Sequence, residues 1–251
     1  MIKTKVLNAA TIPNSIVGSM YKLFEEYYSD VSFADFEKDL RNKKDALVFF
    51  DKKANVVGFT TILHINKKLA NGSNATFIFS GDTVVDRKYW GKKILQKAFY
   101  RYVVKLVIIK IGRPVYWMLM SKGHKTFMIL KKNFMNSYPD VKKMLPADIK
   151  EAMDEFYTER FGSAYKKEKG LIVFDSSKGA VKNQFADATV KALEDKNLQL
   201  FMKLNPDYKM GHELACIARV SIFDFIFALP KYFLIRWKAS NTWTAVKEGP
   251  N

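Results

Sequence analysis

A strand, a basic helix and a second strand follow one another between residues 75 and 120, and this unit constrains the fold most. The apolar stretch 75–85 predicts a buried strand, and helical periodicity then runs for about twenty residues from Trp90 to a stop at Gly112 and Pro114. The apolar run 115–120 predicts another buried strand. Because a helix connects the two strands, we expect them to be parallel with a right-handed crossover.

The segments around this unit predict further helices and strands. On the N-terminal side they are a helix that opens at Pro13 and Asn14, a helix at 33–41, and a hairpin of strands 46–50 and 56–65. On the C-terminal side they are helices at 125–134, 146–161 and 182–197 and strands at 171–174, 198–204 and 213–220. Helices thus alternate with strands along most of the chain.

The charge of the chain is strongly positive and concentrated in its centre. The formal net charge is +17, of which residues 51–100 carry +6 and residues 101–150 carry +9. Such a block predicts an anionic partner: phosphate groups, nucleic acid, an acidic carrier protein or an anionic lipid surface. The alternative is a solvated basic face without a partner.

Cysteine and histidine are too few for several classes of site. The single cysteine, Cys216, excludes an internal disulfide framework, and three scattered histidines offer no metal-ligand spacing, so we expect no metal. Neither a signal peptide nor an uncharged apolar run of eighteen residues is evident, which predicts a cytoplasmic protein. The apolar and basic segment 221–238 suggests peripheral contact with a membrane surface, although a core helix explains the same pattern.

A glycine-containing basic turn separates the first strand of the central unit from its helix. The turn has the sequence Lys88-Tyr89-Trp90-Gly91-Lys92-Lys93. The first amide groups of a helix lack partners within the helix and lie at the positive end of its dipole, so such a turn suits a pyrophosphate. Gly91 would let the backbone approach phosphate closely, and the lysines would add charge.

The order of elements over residues 12–134, together with this turn, resembles the GNAT superfamily of acyl-CoA-dependent N-acyltransferases. The family turn reads Gln or Arg, two residues, Gly, one residue, Gly or Ala; Lys88 and Lys93 depart from it, and Gly91 matches. The resemblance implies an α+β, three-layer fold: a mixed, mostly antiparallel twisted sheet with a central parallel pair of splayed strands and flanking helices. It assigns binding of acyl-CoA, as co-substrate, to Thr83, Val84, Val85, Lys88, Tyr89, Trp90, Gly91, Lys92, Lys93 and Ile94.

The resemblance also directs the search for catalytic residues. Asp82 lies on the strand beside the expected thioester and is the first candidate for a general base, the alternative being a bulge residue or an ion-pair partner. His124 is the second candidate. Many family members carry a tyrosine acid in the following helix, but the corresponding residue is Ile129 and the nearest aromatic is Phe127. The role of general acid is then vacant, or it is filled by water, Ser121, His124 or a tyrosine elsewhere.

These observations predict an acyltransferase that moves an acyl group, expected to be acetyl, from a CoA thioester or an acyl carrier protein to an amine or similar acceptor. The alternatives are a non-catalytic module that binds CoA or an acyl carrier, and a basic protein that binds nucleic acid or a membrane surface. The sequence contains no established nucleic-acid-binding motif, which disfavours nucleic acid as the partner. We expect one domain over residues 1–251, with the donor site in a core of 1–138 and with 139–251 completing the sheet and the acceptor side.

Overall fold

The computed structural model describes residues 2–28, 31–174, 195–221 and 224, and these residues form one sheet with helices on both faces. The strands are β1 (Lys3–Asn8), β2 (Asp45–Phe50), β3 (Val56–Lys68), β4 (Asn74–Val85), β5 (Val115–Ser121), β6 (Asn136–Tyr138), β7 (Tyr165–Lys166), β8 (Leu171–Ile172) and β9 (Glu213–Val220). The α-helices are α1 (Asn14–Glu25), α2 (Phe33–Arg41), α3 (Ile94–Ile109), α4 (His124–Asn133), α5 (Ala147–Phe161) and α6 (Lys196–Leu204).

The strands lie in the order β1-β2-β3-β4-β5-β9-β8-β7, with β6 also paired to β9. Strands β4 and β5, which α3 connects, are parallel, and the other pairings among the described residues are antiparallel. This topology confirms the predicted α+β fold with a mostly antiparallel sheet around one parallel pair. It also places β9, from the C-terminal part of the chain, directly beside β5.

Alternation along each strand sends side chains to two separate cores. On β2, Leu47 and Phe49 face one side, where α3, α4 and α6 pack. Ala46 and Val48 face the other side, where α1 and α2 cover the first strands. Helix α5 covers β4, β5 and β9 on that same second side. The central strands are therefore covered on both faces.

Most of the predicted elements are confirmed, and the differences have local causes. The predicted strand 198–204 is wrong: the segment belongs to α6, whose first turn is capped by the Asp195 carboxylate accepting from the Asn197 amide at 2.8 Å. Leu198 and Phe201, three positions apart, are the side chains it buries, a helical rather than an alternating pattern. Strand β1 was not predicted, because as an edge strand it exposes most of its residues.

Two predicted segments lie wholly or largely outside the described residues. Of the helix predicted at 182–197, only 195–197 is described, and of the candidate membrane-contact segment 221–238 only Ser221 and Asp224 are described. Among the helices that the structure describes, none combines the length and apolar character needed to span a bilayer.

Candidate active site

Strands β4 and β5 are hydrogen-bonded over four residue pairs and then separate. Their ladder runs from Thr76 opposite Val115 to Phe79 opposite Met118. Beyond Phe79 no described strand pairs with the β5-facing edge of β4. At the point of separation the Trp117 indole N–H donates to the Ser80 hydroxyl at 3.0 Å. A gap with exposed main-chain groups thus opens along the second half of β4, as the family resemblance implied.

A β-bulge at Gly81 and Asp82 changes the direction of β4 where the gap opens. Ser80 opposes Ile62 and Thr83 opposes Thr60, so two residues of β4 stand opposite Thr61. Position 81 accepts only glycine comfortably, since a Cβ there would lie 2.6 Å from the Thr61 hydroxyl oxygen. The bulge interpretation of Asp82 is therefore correct, and it does not exclude a role as base.

The basic turn after β4 is held by side-chain contacts rather than by regular helix. The Asp86 carboxylate accepts from the Lys88 amide at 2.9 Å, and the Trp90 indole N–H donates to the Val85 carbonyl at 2.7 Å. Gly91 and Lys93 then take left-handed conformations, with φ of 77° and 55°. Helix α3 consequently begins at Ile94 and not at Trp90 as predicted.

The left-handed residues leave a run of amide groups without acceptors. Among the described residues, nothing accepts a hydrogen bond from the amides of Gly91, Lys93, Ile94, Leu95 and Gln96, and the first such bond of the helix is Lys97 to the Lys93 carbonyl. These five N–H groups lie at the positive end of the α3 dipole. A Cβ built on Gly91 would meet no atom within 4 Å, so the space beside this backbone is open.

A cavity of about 390 Å³ joins this turn to the free part of β4. Its lining includes eight of the predicted donor-binding residues: Thr83, Val84, Val85, Tyr89, Trp90, Gly91, Lys93 and Ile94. Lys88 and Lys92 do not line it, and the Lys92 ammonium instead lies 4.8 Å from the centre of the Tyr89 ring. Of the lysines in the turn, the cavity wall therefore includes Lys93 alone, together with the unbonded amides.

Asp82 belongs to a cluster of four charged side chains, Asp39, Lys43, Asp82 and Arg160, which we call the charge cluster. Asp39 accepts from both the Lys43 ammonium and the Arg160 guanidinium at 2.8 Å. Burial raises the pKa of Asp82 to about 6, with Asp39 adding to this effect and Lys43 opposing it. Burial also lowers the pKa of Lys43. A carboxyl with a pKa near 6 can take a proton at neutral pH.

Glu213 adds a buried carboxylate that sequence reasoning missed. It starts β9, and its carboxylate pairs with the Lys122 ammonium at 3.1 Å. Burial raises its pKa, and its charge raises that of Asp82 in turn. Because Glu213 is far from Asp82 in sequence, only the pairing of β5 with β9 reveals this relation.

Ser121 and His124 do not line the donor cavity. The Ser121 hydroxyl is fully buried and donates to the Gly123 carbonyl at 2.9 Å, while His124 is the buried first residue of α4. Phe127 is also fully buried and packs on Phe201. These positions supply no hydroxyl to the cavity.

Tyr28, which sequence reasoning missed as a site residue, does line the cavity. Its hydroxyl donates to the Thr83 carbonyl at 3.4 Å. Burial raises its pKa, and the charges of Asp82 and Glu213 add to this rise, so the hydroxyl keeps its proton at neutral pH. In the sequence Tyr28 follows the amphipathic stripe of α1, and nothing local distinguishes it from a packing residue.

The described residues contain no group of three histidine, cysteine, aspartate or glutamate side chains arranged to hold a metal ion.

No protein-family model matches the chain, and no curated protein matches it. Similar solved structures include a GNAT family N-acetyltransferase from Escherichia coli in complex with CoA (18% identity, 49% of this chain and 62% of that chain, TM-score 0.36). They also include an acetyltransferase from Trypanosoma brucei (19%, 59% and 99%, TM-score 0.42) and glucosamine-6-phosphate N-acetyltransferase from Arabidopsis thaliana (15%, 58% and 99%, TM-score 0.39). The chain spans less than two thirds of the E. coli protein.

Proposed function

We propose that the protein is a divergent acyltransferase of the GNAT type, which moves an acyl group from a CoA thioester to an amine. The observation that carries this proposal is the cavity in which the free edge of β4 meets five unbonded amides at the start of α3. CoA has an extended pantetheine arm with amide groups at one end and a diphosphate at the other. The arm is complementary to the free edge of β4, and the diphosphate is complementary to the amides at the start of α3. We further propose that residues 1–251 form a single domain, with the donor site in 1–138.

The residues present fit the phosphates of CoA. The amides of Gly91 and Lys93 to Gln96 would bind the diphosphate, and Lys93 would add a positive charge at the cavity wall. The pantetheine arm would lie along Thr83, Val84 and Val85. When bound, acyl-CoA supplies an acyl group activated as a thioester. An acyl carrier protein presents the same arm and stays an alternative donor.

Asp82 is the general base of this proposal. An amine acceptor binds mostly as the ammonium ion at neutral pH and must lose a proton before it can act as a nucleophile. Above a pH of about 6 the Asp82 carboxylate is ionised and can take that proton. The neighbouring Lys43 and Arg160 stabilise the ionised form of Asp82.

Tyr28 is the proposed proton donor for the departing sulfur, ahead of His124 and Ser121. Its hydroxyl lies on the cavity wall beside Thr83 and is protonated at neutral pH. Neither Ser121 nor His124 lines the cavity.

The test compares CoA with pantetheine, which lacks the phosphates, by calorimetric titration of the purified protein. Lys93→Glu reverses a charge on the cavity wall, and Lys88→Glu makes the same change in the same turn outside the cavity. We expect Lys93→Glu to weaken CoA binding at least ten-fold, Lys88→Glu to weaken it less than three-fold because solvent screens it, and pantetheine binding to change little in either variant. Equal affinities for CoA and pantetheine in the wild type would refute the assignment of the phosphates.

A non-catalytic CoA-binding module is the second candidate function, because Phe127 and Ile129 supply no acid in α4. The acyltransferase would turn over acetyl-CoA, whereas the module would only bind CoA. Release of free thiol from acetyl-CoA with a panel of amines would establish the enzyme, and saturable CoA binding without thiol release from any of them would favour the module.

A further inference from the structure

A second and larger cavity, of about 490 Å³, lies on the face of the sheet that α5 covers. Its floor and walls are apolar: Leu63 and Ile65 from β3, Phe77 from β4, Met118 from β5, and Ala152 and Phe156 from α5. Lys67, Glu155, Glu159 and Arg160 form its rim. A mostly apolar pocket of this size with a few polar groups is typical of a small-molecule site, for which volumes of about 300–1,000 Å³ are usual.

The rim has one carboxylate that is not neutralised. Lys67 pairs with Glu155, and Arg160 pairs with Asp39. Glu159 is exposed and has no ion-pair partner among the described residues. The four rim side chains sum to zero charge, but Glu159 itself lies outside these ion pairs and is complementary to a cation at its own position.

The charge cluster connects this cavity to the bulge in β4. Arg160 lines the cavity and bonds to Asp39, and Asp39 bonds to Lys43. The Lys43 side chain lies against the bulge, since a Cβ built on Gly81 would be 3.2 Å from its Cε. Asp82, the proposed base, is the next residue. Asp82 lines neither this cavity nor the donor cavity, and the charge cluster lies between it and this cavity.

We propose that this cavity holds the body of the acceptor, and that the acceptor is a primary amine on an apolar body such as an aryl or alkyl chain. The inference rests on the function proposed above. In the reaction Asp82 takes a proton from the ammonium group, and the nitrogen lone pair forms the C–N bond to the thioester carbonyl carbon. The nitrogen then gives up its second proton, the C–S bond breaks and the sulfur takes a proton, so that the products are a neutral amide, a free thiol and the one proton that Asp82 took.

The test measures binding of three probes to the full-length protein: 4-phenylbutylamine, 4-phenylbutanol, which lacks the charge, and 1,4-diaminobutane, which lacks the apolar ring. Burial of the ring should make 4-phenylbutylamine bind at least ten-fold more tightly than 1,4-diaminobutane. The charge should make it bind about three-fold more tightly than 4-phenylbutanol. With acetyl-CoA present, the amide of 4-phenylbutylamine should form.

Two variants locate the binding. Ile65→Trp fills the cavity from a partly exposed position and should weaken 4-phenylbutylamine at least ten-fold. Glu159→Gln changes only an exposed rim charge and should weaken it about three-fold, whereas Glu151→Gln, on the same helix but outside the cavity, should have no effect. Unfolding curves would verify that each variant is folded.

Each result decides between specific statements. The acceptor assignment would be overturned, even if CoA binds, by 1,4-diaminobutane binding as tightly as 4-phenylbutylamine or more tightly. It would also be overturned if Ile65→Trp and Glu159→Gln both bound 4-phenylbutylamine as tightly as the wild type does. If CoA does not bind while 4-phenylbutylamine does, the proposed function fails and the acceptor role fails with it. Tight, variant-sensitive binding together with formation of the amide would support both.

Discussion

Replacement of Asp82 by asparagine should lower activity and raise stability at the same time. Asparagine keeps the shape of the side chain and removes the carboxylate that takes the proton from the amine. Loss of a general base typically lowers the rate about 10²- to 10⁴-fold. The same carboxylate is costly to ionise in the folded protein, because burial raises its pKa to about 6 from an ordinary value of 3.8.

The sign of the stability effect follows from proton binding. The folded protein binds the Asp82 proton more tightly than the unfolded chain, so wild-type stability falls as pH rises from 3.8 to about 6 and is constant above that range. Each pKa unit corresponds to about 1.36 kcal/mol, so ionisation of Asp82 destabilises the fold by about 3 kcal/mol at pH 8. The Asp82→Asn variant avoids this cost. The difference between variant and wild type should shrink to about 1 kcal/mol at pH 4.5.

Urea unfolding at pH 8 and pH 4.5 measures the stability change, and thiol release from acetyl-CoA measures activity. Asp39→Asn is the matched control: it removes a carboxylate from the same charge cluster, but this one neutralises the buried Lys43. Asp39→Asn should therefore destabilise the protein, by about 1–3 kcal/mol. Destabilisation by Asp82→Asn at pH 8, or an activity within three-fold of wild type, would refute the assignment of Asp82 as a buried base.

Three further variants test the rest of the site. Tyr28→Phe should lower kcat about 100-fold and leave KM for acetyl-CoA within two-fold, because it removes the proton donor and keeps the aromatic ring on the cavity wall; an unchanged kcat would exclude Tyr28 as the acid. Lys93→Gly should stabilise the protein by about 1 kcal/mol by relieving a left-handed residue, visible as a higher Tm. Gly81→Ala should cost about 1–3 kcal/mol in urea unfolding, since its Cβ would contact Thr61 and Lys43; a neutral effect would contradict the bulge geometry.

Much of the fold followed from periodicity alone. The predicted bounds of α2 and β9 agree with the structure, and the parallel arrangement of β4 and β5 followed from the helix between them. These elements have strong local patterns and bury one face or both. The prediction failed at 198–204, where a run of leucine and phenylalanine permits either period and the capping Asp195 was overlooked.

The site was less predictable because its residues are distant in sequence and are brought together only by strand pairing and helix packing. Asp82 and the turn were found because strand, turn and helix are contiguous. Tyr28, three residues beyond the end of α1, lines the cavity, and the charge of Glu213 acts on Asp82 because β9 pairs with β5. The Asp39–Arg160 contact joins α2 to α5. Contacts of this kind leave no signature in a single sequence.

The positions of the lysines in the turn show that most of their charge lies outside the donor cavity. The charge of residues 51–150 predicted an anionic partner, yet Lys88 and Lys92 stand outside the donor cavity, and the polar groups of the turn that have no acceptor are neutral amides. Amides fixed by the backbone hold a phosphate at short range without the loss of side-chain entropy that a lysine would incur. Charges outside the cavity still act over a Debye length of about 8 Å at physiological salt. Under the proposed function, the surface lysines would attract an anionic donor toward the turn, and the amides of Gly91 and of Lys93 to Gln96 would provide the specific contacts once it arrives.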